Sequence, residues 1–459
     1  MRDWSVAALR QLDAWTVDDY PLWHDQMKMS GKIRHHARPG KLLVRGEGCW
    51  VEDVAGRRYL DARSGICNVQ LGYDRADIVD AMHKQATELP FACAIRYSRP
   101  ALTTLRYAAA LVEAAPASLT RLRLNHMGSA AVETALQAAR LYWRNLGYAD
   151  RTSIVALEDS FHGSSLMTLA ASGEPFISDL LVLPPEGFVR APRPTLGDCP
   201  GCTEGAASGP WCTAHLESAI QQIGAERIAA FIVEPVMFNR VYPLSAHYLS
   251  ELRAMADRHG FLLIFDEVSI GFGRLGSLFA ADHFGVEPDM LCMAKGMTSG
   301  YAPLGGVLVN ERVFGAFDLP GRPHFASGSS ADGHPVSCAA ALATLDALRD
   351  GKVFANVRRQ ERRVLSGLRD ALSGNPLVAQ VRGLGLITAV ELRTADGREA
   401  PLALTRRIEA ACDERGVLVQ HAHNNIVLYP PLVITDDEVD IMVGTVSEVI
   451  DETTRAGGG

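Results

Sequence analysis

Beyond Leu71-Gly72-Tyr73 the chain alternates short apolar runs with amphipathic helical patterns, and this alternation constrains the fold more than any other feature. Strand-like runs occupy 153–157, 228–233, 261–265, 289–293 and 304–309, while helical periodicity covers about 75–88, 100–114, 130–146 and 245–259. Strands alternating with helices predict an α/β architecture with a mostly parallel, doubly wound sheet. Upstream, Trp50 to Leu60 reads as two short strands around a glycine turn. Downstream, about 340–459 carries long helical patterns and a strand pair near 384–392 and 426–428, the pattern of a smaller α+β domain. A chain of 459 residues is too long for one simple core, so two packed domains are expected. The predicted limits are 1–74 for an N-terminal arm and part of the small domain, 75–335 for the large domain and 336–459 for the rest of the small one. The polar tail, 451–459, is expected to be disordered.

Composition narrows the class. A net charge of −8 argues against nucleic acid or an anionic membrane as partner. No apolar stretch reaches the roughly 18 residues that span a bilayer. The start, Met1-Arg2-Asp3-Trp4, carries no apolar signal-peptide core. Cys292 and Cys338 lie inside apolar runs, as reduced buried thiols do. A cytoplasmic enzyme is the expectation.

The chain holds six lysines against 39 arginines, and between Lys84 and Lys352 its only lysine is Lys295. Where charge alone suffices this sequence uses arginine. A lysine retained in such a chain points to a task arginine cannot perform, namely losing its proton and attacking a carbonyl as a free amine. Lys295 follows the apolar run Met290-Leu291-Cys292-Met293-Ala294 and precedes a Gly/Ser/Thr loop. That places it at the carboxyl end of a strand, where open α/β sheets bind ligands.

Four other segments are arranged as if around one ligand. At His126-Met127-Gly128-Ser129 a strand passes into a helix whose free N–H groups suit a phosphate, although a serine there also serves as an ordinary cap. Asp266 and Glu267 follow a buried strand, and adjacent carboxylates there need partners: a protonated ring nitrogen, a metal or an arginine. Phe161-His162-Gly163 offers an aromatic face at another strand end. The fourth is the polar loop Gly328-Ser329-Ser330-Ala331-Asp332-Gly333-His334-Pro335 ahead of a helix. Together with Lys295 these parts fit a phosphorylated heteroaromatic aldehyde such as pyridoxal 5′-phosphate. That cofactor needs a lysine for its aldehyde, a carboxylate for its ring nitrogen and an aromatic face for its ring.

With these motifs the chain resembles the class III (ω-type) aminotransferases from about Trp50 to Val439. The matches include Ile264-Phe265-Asp266-Glu267-Val268, Gly271-Phe272-Gly273-Arg274-Leu275-Gly276, Ala294-Lys295-Gly296, Glu234-Pro235-Val236 and Pro430-Pro431-Leu432. The resemblance implies a fold type I pyridoxal-phosphate-dependent transferase that moves an amino group between an amine or amino-acid donor and an aldehyde or ketone acceptor. Racemases, aminomutases and decarboxylases share the same fold and motifs. Carried over by position, Lys295 is the cofactor-bonding and proton-shuttling lysine and Asp266 the partner of the ring nitrogen. Val268 and Phe161 enclose the ring, Gly128 and Ser129 bind the phosphate, and His162 and Glu234 are further cofactor contacts. Ser330 stands where the family usually has a threonine that reaches the phosphate from the neighbouring subunit, which implies a homodimer with shared active sites.

Departures from the family pattern bear on substrate. Phe161 replaces the more common tyrosine, Ser269 a common glutamine, and Met237-Phe238-Asn239-Arg240 a glycine-rich turn. Cys67 replaces an aromatic that typically narrows the pocket. Gln420 occupies the position of a mobile arginine that often holds a keto-acid carboxylate, so either Arg240 or another arginine substitutes for it, or the substrate is not a simple amino acid. The expected substrate is therefore a bulky or carboxylate-poor amine acceptor of secondary metabolism. Separately, Cys199, Cys202, Cys212 and His215 follow a C-x2-C-x9-C-x2-H spacing that suits a structural zinc ion or a reduced surface loop.

Overall fold

The computed structural model describes residues 5–10, 20–23, 41–93, 99–174, 186–194 and 213–457. Most of the expected N-terminal arm lies outside the described residues, as do Cys199, Cys202, Cys212 and the side chain of His215.

A seven-stranded sheet forms the centre. Its strands in chain order are β1 (Leu119–Asn125), β2 (Ser153–Leu157), β3 (Phe188–Ala191), β4 (Ile228–Val233), β5 (Leu262–Asp266), β6 (Met290–Met293) and β7 (Gly305–Asn310). They lie side by side in the order β1-β7-β6-β5-β4-β2-β3. All neighbouring pairs from β6 to β3 are parallel, whereas β7 runs antiparallel to both β6 and β1. The first six strands therefore point the same way, and their carboxyl ends share an edge with the start of β7. Side chains of β5 alternate between two apolar layers, Leu263 and Phe265 in one and Leu262 and Ile264 in the other. Such period-2 burial on both faces is why these strands read as unbroken apolar runs. Helices cover both layers, among them Gly128–Asn145 and Ala246–His259. The latter starts at Ser245, whose hydroxyl accepts the Tyr248 N–H at 3.1 Å, and stops at Gly260 in the left-handed conformation (φ 76°).

A second core gathers two four-stranded sheets under the helices Lys352–Ala371, Leu402–Glu414 and Asp436–Arg455. One sheet orders Leu43–Glu47, Trp50–Asp53, Arg58–Asp61 and Val417–Leu418; the other joins Val378–Leu384, Ile387–Leu392, Asn425–Leu428 and Gln420–Ala422. Arg274, fully buried, donates to the carbonyls of Leu386 (2.9 Å) and Pro430 and to Ser64 Oγ (3.2 Å), tying the segment after β5 to this second core.

The expected disordered tail is instead helical through Arg455. Thr435 and Glu438 form a capping box at the helix start, and Val446, Val449 and Ile450 are buried along one stripe. Each such aliphatic side chain stabilises by roughly 1.5–3 kcal/mol. Asn375 Nδ2 bonds Asp451 at 2.7 Å and Asn375 Oδ1 accepts from Thr454 at 3.0 Å, docking the last turn that its polar composition had disguised.

Candidate active site

The ends of β1, β2, β4, β5 and β6 and the start of β7 meet around a cavity of about 340 Å³. Gly128, Ser129, Phe161, His162, Glu234, Asp266, Val268 and Lys295 all line it, so one topological edge collects residues spread over much of the chain. Ala302, Pro303 and Leu304, leading into β7, form an apolar wall.

Lys295 follows β6 and opens a short 3-10 turn, Lys295–Thr298, with its own φ at 41°. A non-glycine residue in that region stores strain, which persists where surrounding structure holds it. Its Nζ donates to Ser269 Oγ at 2.6 Å and lies 4.7 Å from the centre of the Phe238 ring. Burial pushes the Lys295 amine below its ordinary value, against the opposing pull of Cys67, Asp266 and Glu234. The balance is thereby moved toward the free amine.

Asp266 ends β5 with its side chain almost wholly buried. Its Oδ2 lies 2.8 Å from His162 Nδ1 and its Oδ1 accepts the Val268 N–H at 3.1 Å. Glu267, the adjacent carboxylate, faces away from the cavity. It caps the helix Ala280–Phe284 by accepting the N–H groups of Ala280 (2.6 Å) and Ala281 (2.9 Å). Its partners are thus backbone donors, and burial pushes its carboxyl up to about 8. Glu234 accepts the N–H of Phe161 at 3.0 Å on one oxygen and that of Phe238 at 3.1 Å on the other. Burial pushes Glu234 up to about 7.

The helix Gly128–Asn145 begins with no side-chain cap on its first N–H groups. Ser129 Oγ accepts the Ser164 N–H at 2.9 Å, which leaves its hydroxyl proton free to donate. A Cβ on Gly128 would lie 2.9 Å from Val268 Cγ1 and 3.3 Å from the Ala294 side chain. Only glycine lets the helix start press so closely on the cavity wall. An uncapped helix start of this kind is an anion site.

Four sequence candidates stand elsewhere. Ser330 is exposed and outside the cavity lining. Cys67 is fully buried and outside the cavity lining, packed in a cluster with Val236 and Tyr429, while its neighbour Asn68 reaches the cavity. Arg240 pairs with Asp159 at 3.1 Å and Glu399 at 3.2 Å. Gln420 Nε2 donates to the His421 carbonyl at 3.1 Å. Sequence reading assigned no role to Phe238 and none in the lysine's hydrogen bonding to Ser269. Ser269 could have been found from its place in the turn after Asp266, and Phe238 from its place just beyond the end of β4.

A lysine and an aspartate at neighbouring strand ends, beside an uncapped helix start, define an enzyme built to carry pyridoxal phosphate. A family model described as aminotransferase class-III matches residues 34–450. An ω-aminotransferase of Caulobacter vibrioides is 35% identical over 91% of this chain and 95% of its own length. Among solved structures, an amine transaminase from an uncultivated Pseudomonas species with pyridoxal phosphate bound is 33% identical, covers 94% of this chain and 99% of its own, and superposes with a TM-score of 0.88. An (S)-enantioselective ω-transaminase from Thermomicrobium roseum is 34% identical over 94% of this chain and 95% of its own, with a TM-score of 0.86. The chain belongs to the class-III aminotransferases. It is a pyridoxal-phosphate-dependent transaminase, and its substrates are an amine donor and a carbonyl acceptor. Among the described residues no cluster of potential metal ligands occurs, and no helix is long and apolar enough to cross a membrane.

Proposed function

We propose that this transaminase takes amines lacking a carboxylate near the reacting carbon, with Lys295 and Asp266 as its catalytic residues. The observation that carries the substrate reading is that, among the described residues, no arginine lines the cavity. Arg240 is occupied by two carboxylates, and Gln420 offers no positive charge. A carboxylate substrate would therefore lack the bidentate partner that usually holds it. Asn68, Met127, Ala302, Pro303 and Leu304 give the cavity a mostly uncharged outer wall suited to an alkyl or aryl amine.

When bound, pyridoxal phosphate supplies an aldehyde that bonds the amine and a ring that accepts electrons from the bond to hydrogen. With the cofactor held, Lys295 Nζ would take the proton from the substrate carbon and act as the proton-shuttling group. Asp266, oriented by His162 and the Val268 N–H, keeps the ring nitrogen protonated. Gly128 and Ser129 at the helix start would hold the phosphate, and Phe161 and Val268 would hold the ring. Glu234 orients Phe161 through its backbone N–H.

The proposal extends to a homodimer in which Ser330 serves the neighbouring copy's phosphate site. Its exposure, together with exposed Leu102, Leu105 and Leu166, supports that reading. Sedimentation showing a monomer at working concentration would end it. A cytoplasmic location, the domain limits 1–74, 75–335 and 336–459, and a structural zinc on Cys199, Cys202, Cys212 and His215 complete it. Less than about a tenth of an equivalent of zinc per purified chain rules out the metal.

The substrate reading is tested by a panel of amine donors, following the cofactor absorbance in each half-reaction. Amines without a carboxylate should react at least about tenfold faster than small amino acids, the scale set by one missing polar contact. Full turnover with small amino acids and keto acids in both half-reactions overturns it.

A further inference from the structure

The Nζ of Lys295 has an aromatic neighbour that is fixed from several sides. Phe238 follows the short strand Val236–Met237, and its N–H is held by Glu234 Oε1 at 3.1 Å. Its ring packs on that of Tyr429, with centroids 5.2 Å apart. The rest of the loop is pinned just as firmly. Asn239 Nδ2 donates to Glu174 at 2.8 Å, Arg240 pairs with Asp159, and Arg382 Nε donates to the Val241 carbonyl at 3.0 Å. Turning the ring from the lysine would break its packing on Tyr429.

An aromatic face attracts an ammonium group and offers little to a neutral amine. Ser269 Oγ, on Nζ at 2.6 Å, accepts a hydrogen bond from either form. The proton-carrying cycle requires both forms. Taking a proton leaves Nζ as ammonium, and releasing it restores the amine. Burial alone would favour the amine throughout.

We propose that Phe238 is a positioning residue whose ring face stabilises the ammonium form of Lys295 and so balances the lysine between its two proton states. The charged and titratable groups around Nζ are Asp266 and Glu234, which favour the ammonium, Arg274, which opposes it, and Cys67, whose thiol is kept uncharged by burial. A change confined to the Phe238 ring leaves all four in place. The inference rests on Lys295 being the cofactor-bonding lysine. Lys295→Ala tests that reading by itself, because retained turnover would refute it without touching Phe238.

The experiment replaces Phe238 with mono-, tri- and pentafluorophenylalanine, which weaken the negative ring face in steps at nearly constant shape. In the aminated holoenzyme, where the lysine is free, the rate of Lys295 acetylation is measured against pH by peptide mass spectrometry, with exposed Lys84 as internal reference. The pKa of Lys295 should fall in steps with fluorination, by about one unit in all, as expected for loss of a desolvated cation–π contact. Phe238→Leu should match the pentafluoro form, Phe238→Tyr should stay near the parent, and the pH profile of kcat should shift with the lysine. An unchanged Lys295 pKa across the fluorinated series overturns the proposal, as does Phe238→Tyr falling as far as Phe238→Leu. The fluorinated forms supply this result even where the leucine variant fails to fold.

Discussion

His162 Nδ1 lies 2.8 Å from Asp266 Oδ2, joining two buried side chains that are 104 residues apart in the chain. An ionised carboxylate only accepts, so the histidine proton resides on Nδ1 in this contact. The histidine is itself fixed, since its backbone N–H donates to Ser172 Oγ at 2.8 Å. With the Val268 N–H on the other oxygen, the Asp266 carboxylate has little freedom to rotate.

Asp266→Asn should keep the fold and lower the half-reaction rate by about 10²–10³-fold, the usual cost of removing one preorganised electrostatic partner. His162→Phe should cost less, about tenfold, because it removes only the bond that orients the carboxylate. Stopped-flow absorbance of the cofactor measures both. An asparagine variant as fast as the parent would falsify the role given to Asp266.

Lys295→Ala should abolish covalent attachment of the cofactor and reduce turnover by at least about 10²–10⁴-fold, the range of a positioned general acid–base. Lys295→Arg should be equally inactive, because a guanidinium does not give up its proton. Mass spectrometry after borohydride reduction reads the attachment. A reduced adduct on any other lysine would show that Lys295 was misassigned.

Gly128→Ala brings a methyl group to 2.9 Å from Val268 Cγ1, so the helix start must shift. Overpacking of this kind costs about 1–3 kcal/mol. Cofactor affinity should fall by about tenfold or more while the melting temperature of the cofactor-free protein changes less, since the helix remains anchored by its buried face. Equal affinity in titrations of the two proteins would separate Gly128 from phosphate binding.

Stability should decline as pH rises, with a share due to Glu267. Burial lifts its carboxyl from 4.5 in the reference state to about 8, so the folded protein holds that proton more tightly than the unfolded chain. The resulting stabilisation is fully present below about 4.5 and is lost as the pH climbs through about 8. Thermal melts of Glu267→Gln should therefore show a shallower decline than the parent over this window. Glu234, lifted to about 7, titrates in the same range and leaves part of the slope in place. Identical slopes in the two proteins would remove Glu267 from the account.

Much of the site was legible because strand ends announce themselves. Apolar runs that stop at Asp266 and just before Lys295 mark two neighbouring strand ends on one edge of the sheet, and an unusual lysine economy singles out the second. The start of β1's following helix was equally visible at Gly128-Ser129. The readings that differed concern direction and distance. The sequence points to Cys67 and Arg240 for the substrate pocket, yet one is fully buried outside its lining and the other is engaged by Asp159 and Glu399. The polar tail hid a helix because its last turn is held by Asn375, a partner 76 residues upstream of Asp451.

Local pattern, then, determined that this chain would form a doubly wound sheet, would place a lysine, an aspartate and a phosphate-type helix start at strand ends, and would belong among pyridoxal-phosphate enzymes. Those features depend on periodicity and on short spacings that neighbouring residues settle among themselves. Tertiary structure alone decided that His162 would orient Asp266, that Phe238 would lie over Lys295, and that Arg240 would be held away from the cavity. Each of these joins segments far apart in sequence, and no periodicity records which side chains meet once the strands have packed.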